Sequence, residues 1–297
     1  MNFFDLYIFI LICIAGLCFG SFYNVVILRS LSGESVIFPG SKCPKCQNKL
    51  KPWHNIPVLS YIFLKGKCAF CNEKISLQYP LIELATMGLF VSSYIKFGLE
   101  WKTLFAIVLC STLLIMSMTD IKEKLVDCNI AIALAIVGTL YNWLVYDAFL
   151  DSILGIVIGV IIMEALARLG FAFNKGRAFG EADTYIAGAL GACFGLSSLP
   201  QILIYTLVSS MFFVIPAFLY KQYKNNNKQI CILFIIFILS ALAYKILAQN
   251  IFTFGTLTLS GLASAFLTLR NLKNEDTPLY LPLVPAFSLA ALYFLFV

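Results

Sequence analysis

Charged residues are scarce in this 297-residue chain, at 12%, whereas 61% of its residues are hydrophobic. Soluble domains carry about 25% charged residues, so the composition excludes an ordinary soluble domain. We expect an all-α multi-pass membrane protein of about 8–10 transmembrane helices, each of roughly 17–25 residues. The predicted spans are 4–28, 80–97, 101–119, 129–147, 150–171, 184–200, 201–220, 229–248, 252–269 and 279–297.

The N-terminal stretch MNFFDLYIFI lacks the basic region that opens a cleavable signal peptide. Its apolar run is long enough to cross the membrane, which predicts a retained first helix over 1–28. A polar loop over 29–79 follows, and 80–297 forms the polytopic part of the chain. Within that part, 229–270 is interpreted as a two-helix insertion.

Lysine and arginine are concentrated in the polar loop, which holds eight of the 21. Cytosolic loops of membrane proteins carry an excess of these residues. If the loop is cytosolic, alternation along the spans places 18 of the 21 on that side. The net charge of +6 then follows from topology. Arginine is not interleaved with aromatics in the loop, as it is where bases stack, so we expect no nucleic-acid partner.

Four of the ten cysteines form two C-x-x-C pairs, Cys43–Cys46 and Cys68–Cys71. Pairs at this spacing are typical of a zinc ribbon, in which four thiolates surround one tetrahedral ion. A loop this small cannot build its own core, so metal would hold its fold. The alternative is two disulfides or redox pairs, which a reducing cytosol disfavours. His54 lies between the pairs and is interpreted as a surface or packing residue, because four thiolates complete the metal shell.

Two aspartates lie where predicted spans meet the cytosol, Asp120 at the end of the third span and Asp183 before the sixth. Two carboxylates at one apolar-rimmed site share a proton, as in an aspartyl hydrolase. Alternatively, Asp183 caps its helix, and Asp120 pairs with Lys122 or Lys124.

Other acids complicate this choice. Asp127 and Glu181 are near the same face, so the pattern alone does not select the pair. Glu83 and Glu164 lie inside the second and fifth predicted spans, where a carboxylate is either functional or a partner for a buried polar group.

These motifs together resemble the bacterial type IV prepilin peptidases, membrane aspartyl proteases of the G-x-G-D type. The resemblance covers residues 16–220 and 279–297. Three positions depart from the family pattern: Ala182 replaces a glycine, Gln78 an arginine and Thr184 a lysine. The resembling stretches are GSFYNVVILR, SKCPKCQNKL, HNIPVLSYIFLKGKCAFC, ISLQYPLIE, TDIKEKLVD, FGEAD and LVPAFSLAAL.

The resemblance implies that the protein cuts the basic leader from prepilins and pseudopilins of pilus and secretion systems. The cut would occur at the cytosolic face of the bacterial inner membrane, with Asp120 and Asp183 as the catalytic pair. Family members with the four-cysteine loop also N-methylate the new N-terminus with S-adenosylmethionine, beside a structural zinc.

The resemblance leaves the cofactor-binding residues unknown. Glu83 is the one candidate, because a carboxylate there could hold the substrate's new amino group. The expected partners are the prepilin-like substrates and membrane lipid.

Three alternatives remain open at this point, the last being a structural assembly protein of a pilus or secretion system, should Ala182 inactivate the site. The first is a peptidase without methyltransferase activity. The second is a metal-sensing membrane transporter with Asp120 and Asp183 as proton sites. Transporters often show internal repeats and broken mid-membrane helices, and the sequence indicates neither.

Overall fold

A computed structural model describes residues 3–174, 180–224 and 282–297, together with positions 229, 232, 235 and 236. Every regular element in these ranges is helical, which confirms the all-α prediction. The helices are α1 (Phe3–Ser32), a 3-10 helix (Pro52–Asn55), α2 (Leu59–Phe63), α3 (Gln78–Phe97), α4 (Trp101–Glu123), α5 (Cys128–Tyr146), α6 (Phe149–Asn174), α7 (Glu181–Lys224) and α8 (Val284–Phe296).

Five described helices, α1 and α4–α7, are long and apolar enough to cross a membrane, and α8 is apolar but shorter. In α1, only 11% of its most apolar window is buried. Its large apolar side chains therefore face outwards, as expected where lipid replaces water as the solvent. The predicted spans 229–248 and 252–269 lie outside the described residues.

The chain divides into two compact units. The larger comprises residues 1–172, 176–209 and 282–297 and contains the cysteine loop, Asp120 and Asp183. The smaller comprises residues 173–175 and 210–281, and its described part consists of helical residues.

Helix α1 packs closely against α3 because glycines of α1 leave room for the α3 backbone. A Cβ at Gly20 would lie 2.6 Å from the Cα of Glu83, and a Cβ at Gly16 would lie 2.6 Å from the Cα of Met87. Small residues commonly allow such approach between membrane helices. Gly20 thus faces Glu83, and the two helices run antiparallel.

A larger core joins α4, α5, α6, α7 and α8. Helix α8 is central to it, since Phe287 and Ala291 are fully buried. A hydrogen bond of 2.6 Å joins the Ser117 and Ser288 hydroxyls, and Ser288 Oγ lies 3.3 Å from the Leu113 carbonyl oxygen. These contacts fix α8 against α4.

Helix α7 is interrupted at Gly195, whose φ of +77° and ψ of 170° are non-helical. Before the break, Phe194 contacts Phe294 near the end of α8. After it, Tyr205 contacts Tyr293, and the Ser209 hydroxyl donates to the Ala286 carbonyl near the start of α8.

The two limbs of α7 therefore run in opposite directions along α8. We predicted two spans here with a boundary at residue 200. The structure puts the reversal at Gly195, because only glycine adopts this conformation readily. Asp151 also occupies the space that a side chain at Gly195 would need.

The contact between α6 and α7 gives a first prediction. A Cβ at Gly155 would overlap the carbonyl of Gly191, so we expect Gly155→Ala to lower the unfolding free energy by about 1–3 kcal/mol. The exposed Gly88 of α3 has open space around it. There Gly88→Ala should leave stability unchanged or raise it by up to about 1 kcal/mol, through helix propensity.

Thermal unfolding in detergent would measure both variants. Equal melting temperatures for the two would show that the glycine contact does not hold α6 and α7 together.

Candidate active site and metal site

Burial distinguishes Asp120 and Asp183 from Asp127 and Glu181, the other two acids that the sequence placed near this face. Asp120, in the last turns of α4, is 7% exposed, and Asp183, in the first turn of α7, is 8% exposed. Asp127 and Glu181 are exposed. The Asp120 and Asp183 carboxylates are close enough to interact electrostatically. The structure thus brings together the two aspartates that the sequence suggested and leaves the other two acids at the surface.

The Asp120 carboxylate is held by the beginning of the last helix. Its Oδ2 accepts a hydrogen bond from the Val284 N–H at 3.0 Å, and the Leu283 N–H also contributes. The first N–H groups of a helix have no intrahelical acceptor and carry the positive end of the helix dipole. The buried Asp120 carboxylate therefore accepts hydrogen bonds from N–H groups that α8 leaves free, and these N–H groups stabilise its negative charge.

Asp183 is held by its own helix. Its Oδ2 accepts the Gly180 N–H at 3.0 Å, an arrangement like that of a capping box, in which the third helical residue reaches back to the N-cap. The predicted capping alternative is therefore correct as a local interaction. It uses one carboxylate oxygen and is compatible with a chemical role for the other.

Ala182, where the family pattern has glycine, lies within α7 and is not among the residues with positive φ. Alanine is the best helix former. This departure therefore introduces no backbone strain beside Asp183.

The four cysteines of the polar loop converge on one point. Their Sγ atoms all lie within 4.8 Å of one another, and those of Cys43 and Cys71 are 3.9 Å apart. Zinc–sulfur bonds of about 2.3 Å in a tetrahedron require sulfur separations of about 3.8 Å. The donor set and its spacing therefore fit one tetrahedral metal ion.

The two cysteine pairs form similar turns. The Cys43 N–H donates to the Asn48 carbonyl at 3.0 Å, and the Cys68 N–H donates to the Glu73 carbonyl at 2.8 Å. Four residues after each of these cysteines, Gln47 and Asn72 adopt left-handed backbone with φ of +57°. The two halves of the loop are thus repeated knuckles that present their thiols to a common centre.

The surroundings favour the thiolate form at Cys68, whereas desolvation and the neighbouring thiols raise the pKa of Cys71 to about 11. Backbone N–H groups of Cys71 and Phe70 lower the pKa of Cys68 to about 7. An ion pair joins Lys45 of one knuckle to Glu73 of the other. It is solvent-exposed and adds little stability.

His54 takes no part in this cluster. Its ring lies edge-on to Phe70 with 5.5 Å between centroids, and it is outside the group of candidate ligands. His54 thus packs against Phe70 of the second knuckle.

The two acids predicted inside spans have different environments. Glu164 forms an ion pair with Arg168 at 2.7 Å. Glu83 is 6% exposed. Its Oε2 accepts the Val58 N–H at 2.7 Å, and Ser21 also hydrogen-bonds to it. Glu83 therefore lies where the cysteine loop, α1 and α3 meet.

Sequence reasoning missed two buried polar residues. Asn24 of α1 is fully buried and donates to the Tyr79 carbonyl at 3.1 Å. Asn142 of α5 donates to the carbonyls of Ala192 and Cys193 beside the Gly195 break. Each is an amide within an otherwise apolar span, which is the signal that could have identified both.

Comparisons with known proteins agree with these features. The family described as "Bacterial Peptidase A24 N-terminal domain" matches residues 14–97, and the "Type IV leader peptidase family" matches residues 107–216. No solved structure matches.

Three curated relatives are each named "Prepilin leader peptidase/N-methyltransferase". The one from Klebsiella pneumoniae is 33% identical over 198 residues, covering 64% of this chain and 87% of the relative. The one from Neisseria gonorrhoeae is 32% identical over 244 residues, covering 73% and 84%. The one from Myxococcus xanthus (strain DK1622) is 32% identical over 203 residues, covering 68% of this chain and 59% of the relative.

The cysteine geometry gives a second prediction. The purified protein should contain about one tetrahedral metal ion per chain, and Cys46→Ser should reduce that content to roughly a tenth, because three thiolates bind more weakly than four. Elemental mass spectrometry measures the content. Cys18→Ser, in the exposed part of α1, is the matched control and should retain its metal. Full occupancy in Cys46→Ser would contradict a four-cysteine site.

Proposed function

The chain belongs to the type IV leader peptidase family, and we propose that it cleaves the basic leader from prepilins and pseudopilins and then N-methylates the new N-terminus. The observation that carries the peptidase activity is the buried pair Asp120 and Asp183 at one end of the bundle. Both parts of the relatives' printed names support the combined activity.

The proposed hydrolysis needs only these two carboxylates and water. The ionised carboxylate takes a proton from water while the protonated one donates to the carbonyl oxygen of the scissile peptide. The water oxygen bonds to the carbonyl carbon, the carbon–nitrogen bond then breaks, and the leaving amine takes up a proton. Hydrogen bonds from Gly180 and Val284 hold the two carboxylates in place during these steps.

The cleavage site is proposed to face the cytosol at the inner membrane. This orientation rests on the lysines and arginines of the 29–79 loop. Glu181, exposed beside Asp183, is proposed to meet the basic leader. The helical core of the substrate would remain in the lipid, against the exposed apolar faces of the bundle.

We further propose that the ion in the cysteine loop is zinc and that it is structural. Four thiolates in a closed tetrahedral arrangement are typical of structural zinc sites. The loop would shape the second active site. S-adenosylmethionine, the donor that the N-methyltransferase name implies, would supply the methyl group there.

The dyad gives the third prediction. Asp120→Asn and Asp183→Asn should each lower leader cleavage by about 10²–10⁴-fold, the usual contribution of a general acid or base. Asp127→Asn is a matched control, because Asp127 is exposed and caps α5, and asparagine caps as well as aspartate. Glu181→Gln should still cleave the leader, but its cleavage should depend less on the positive charge of the leader.

Product masses from a prepilin-like peptide in detergent measure this prediction. Full activity in either dyad variant would refute the proposed mechanism. Loss of cleavage in Asp127→Asn would instead show that another acid takes part.

The fourth prediction concerns the second activity. With S-adenosylmethionine present, the cleaved product should gain the mass of one methylene group, whereas uncleaved substrate should not. Cleavage without this gain would establish the rival interpretation, a peptidase only. In that case Gln78→Arg, which restores the residue that the family usually has there, would be the first variant to test.

A further inference from the structure

Glu83 is a buried carboxylate that forms no ion pair with the described residues. Neither Lys45–Glu73 nor Arg168–Glu164 includes it. A carboxylate buried near the membrane is costly unless something compensates its charge, and such residues commonly mark functional sites. Leader hydrolysis at Asp120 and Asp183 makes no use of it.

A buried oxygen that accepts no hydrogen bond from the described residues lies one helical turn away. Asn24 is fully buried and donates through Nδ2 to the carbonyls of Gly20 and Tyr79. Its Oδ1 has no hydrogen-bond partner among the described residues. Because Gly20 faces Glu83 and Asn24 faces Tyr79 across the α1–α3 contact, this orphan oxygen and the carboxylate lie on adjacent turns.

The cysteine loop covers Glu83 through a strained residue. Val58 has φ +60° and ψ −49°, and a β-branched residue at positive φ is a conformational outlier. Such strain persists where the surroundings impose it, often at functional sites. Here the Val58 N–H donates to Glu83 Oε2 at 2.7 Å. The loop thus places an N–H donor on the acceptor that a ligand would use.

We propose that Glu83, Asn24 and Ser21 form a binding site for a protonated primary amine, which displaces the Val58 N–H on entering. The three side chains offer acceptor oxygens, and an ammonium offers three donors. A Ca²⁺ ion takes about six to eight oxygen ligands, more than these three side chains offer. The tight α1–α3 contact favours a compact charge over a planar guanidinium.

This proposal rests on the proposed function, which names the amine. Leader cleavage creates an α-amino group that the intact substrate lacks. Binding of that group beside the cysteine loop would retain the cleaved chain and orient its nitrogen. Glu83 and Asn24 are therefore substrate-binding residues of the second activity.

The test uses the metal-loaded, full-length protein and two labelled peptides with the sequence of a processed prepilin N-terminus. One has a free α-amine and the other is N-acetylated. Fluorescence anisotropy should show that the wild type prefers the free amine by roughly tenfold or more, the effect of a charge-assisted hydrogen bond.

Glu83→Gln and Asn24→Leu should lose this preference and retain leader cleavage. Glu164→Gln, a carboxylate paired elsewhere, should retain both.

Asp120→Asn separates this inference from the proposed function. It should lose cleavage and keep the amine preference, because binding of a finished product needs no hydrolysis. If Asp120→Asn cleaves normally while the preference depends on Glu83, the dyad mechanism fails and the amine site stands.

Equal affinity of the wild type for both peptides would overturn the amine site. An unchanged preference in Glu83→Gln, with metal content or melting temperature lowered, would show that Glu83 only anchors the loop to the bundle. If Glu83→Gln does not fold, Ser21→Ala removes one acceptor more gently, and an unchanged preference there would count against the site.

Discussion

The hydrogen bond from the Val284 N–H to the Asp120 carboxylate connects the ends of two helices that lie 164 residues apart in the chain. A carboxylate buried at the end of α4 needs donors, and the first turn of α8 needs acceptors. The 13-residue α8 is short, so its position depends on partners. Helix α8 supplies hydrogen-bond donors and α4 supplies the acceptor. The candidate dyad therefore requires that both helix ends stay together.

The second carboxylate depends on backbone contacts. The first limb of α7, which carries Asp183, lies directly against α6, with no side chain between Gly155 and Gly191. The limb ends at Gly195, where Asn142 satisfies the carbonyls of Ala192 and Cys193 beside the break. The Ser152 hydroxyl also donates to the Ala192 carbonyl at 3.0 Å. Polar side chains of neighbouring helices thus satisfy the backbone groups that the break leaves free, as helix breaks in membrane proteins require.

Much of this arrangement could be predicted from sequence. Hydropathy indicated the described spans closely, because long apolar runs leave few alternatives. The C-x-x-C spacing predicted the four-cysteine cluster, since each knuckle, such as Cys43–Asn48, is contiguous in sequence. The motifs pointed to Asp120 and Asp183 as the candidate pair, and burial sets these two apart from Asp127 and Glu181.

Other features could not be predicted, because they are products of packing between distant segments. The partner of Asp120 is a backbone N–H of the last helix, and backbone groups have no sequence signature. The reversal at Gly195 was expected at residue 200, because an apolar run conceals a single glycine break. The interaction of Glu83 with Val58 depends on how the ribbon rests on α3, which hydropathy does not report.

Helix α4 forms a wall between the two candidate sites. On one face Ile115 packs with Ile27 and Ile82 of α1 and α3. On another, Met116 packs with Val284 and Phe287 of α8. The dyad lies on the α8 side, whereas Glu83 lies on the α1–α3 side.

A substrate that visits both sites while its helix stays in the lipid cannot pass through this packed wall. Its new N-terminus would have to move around the end of α4, where the helix stops at Lys124 in left-handed backbone. Cleavage and methylation by one chain are then successive events at separate positions. The order is set by chemistry, because the amine that the second site would bind does not exist until the first has acted.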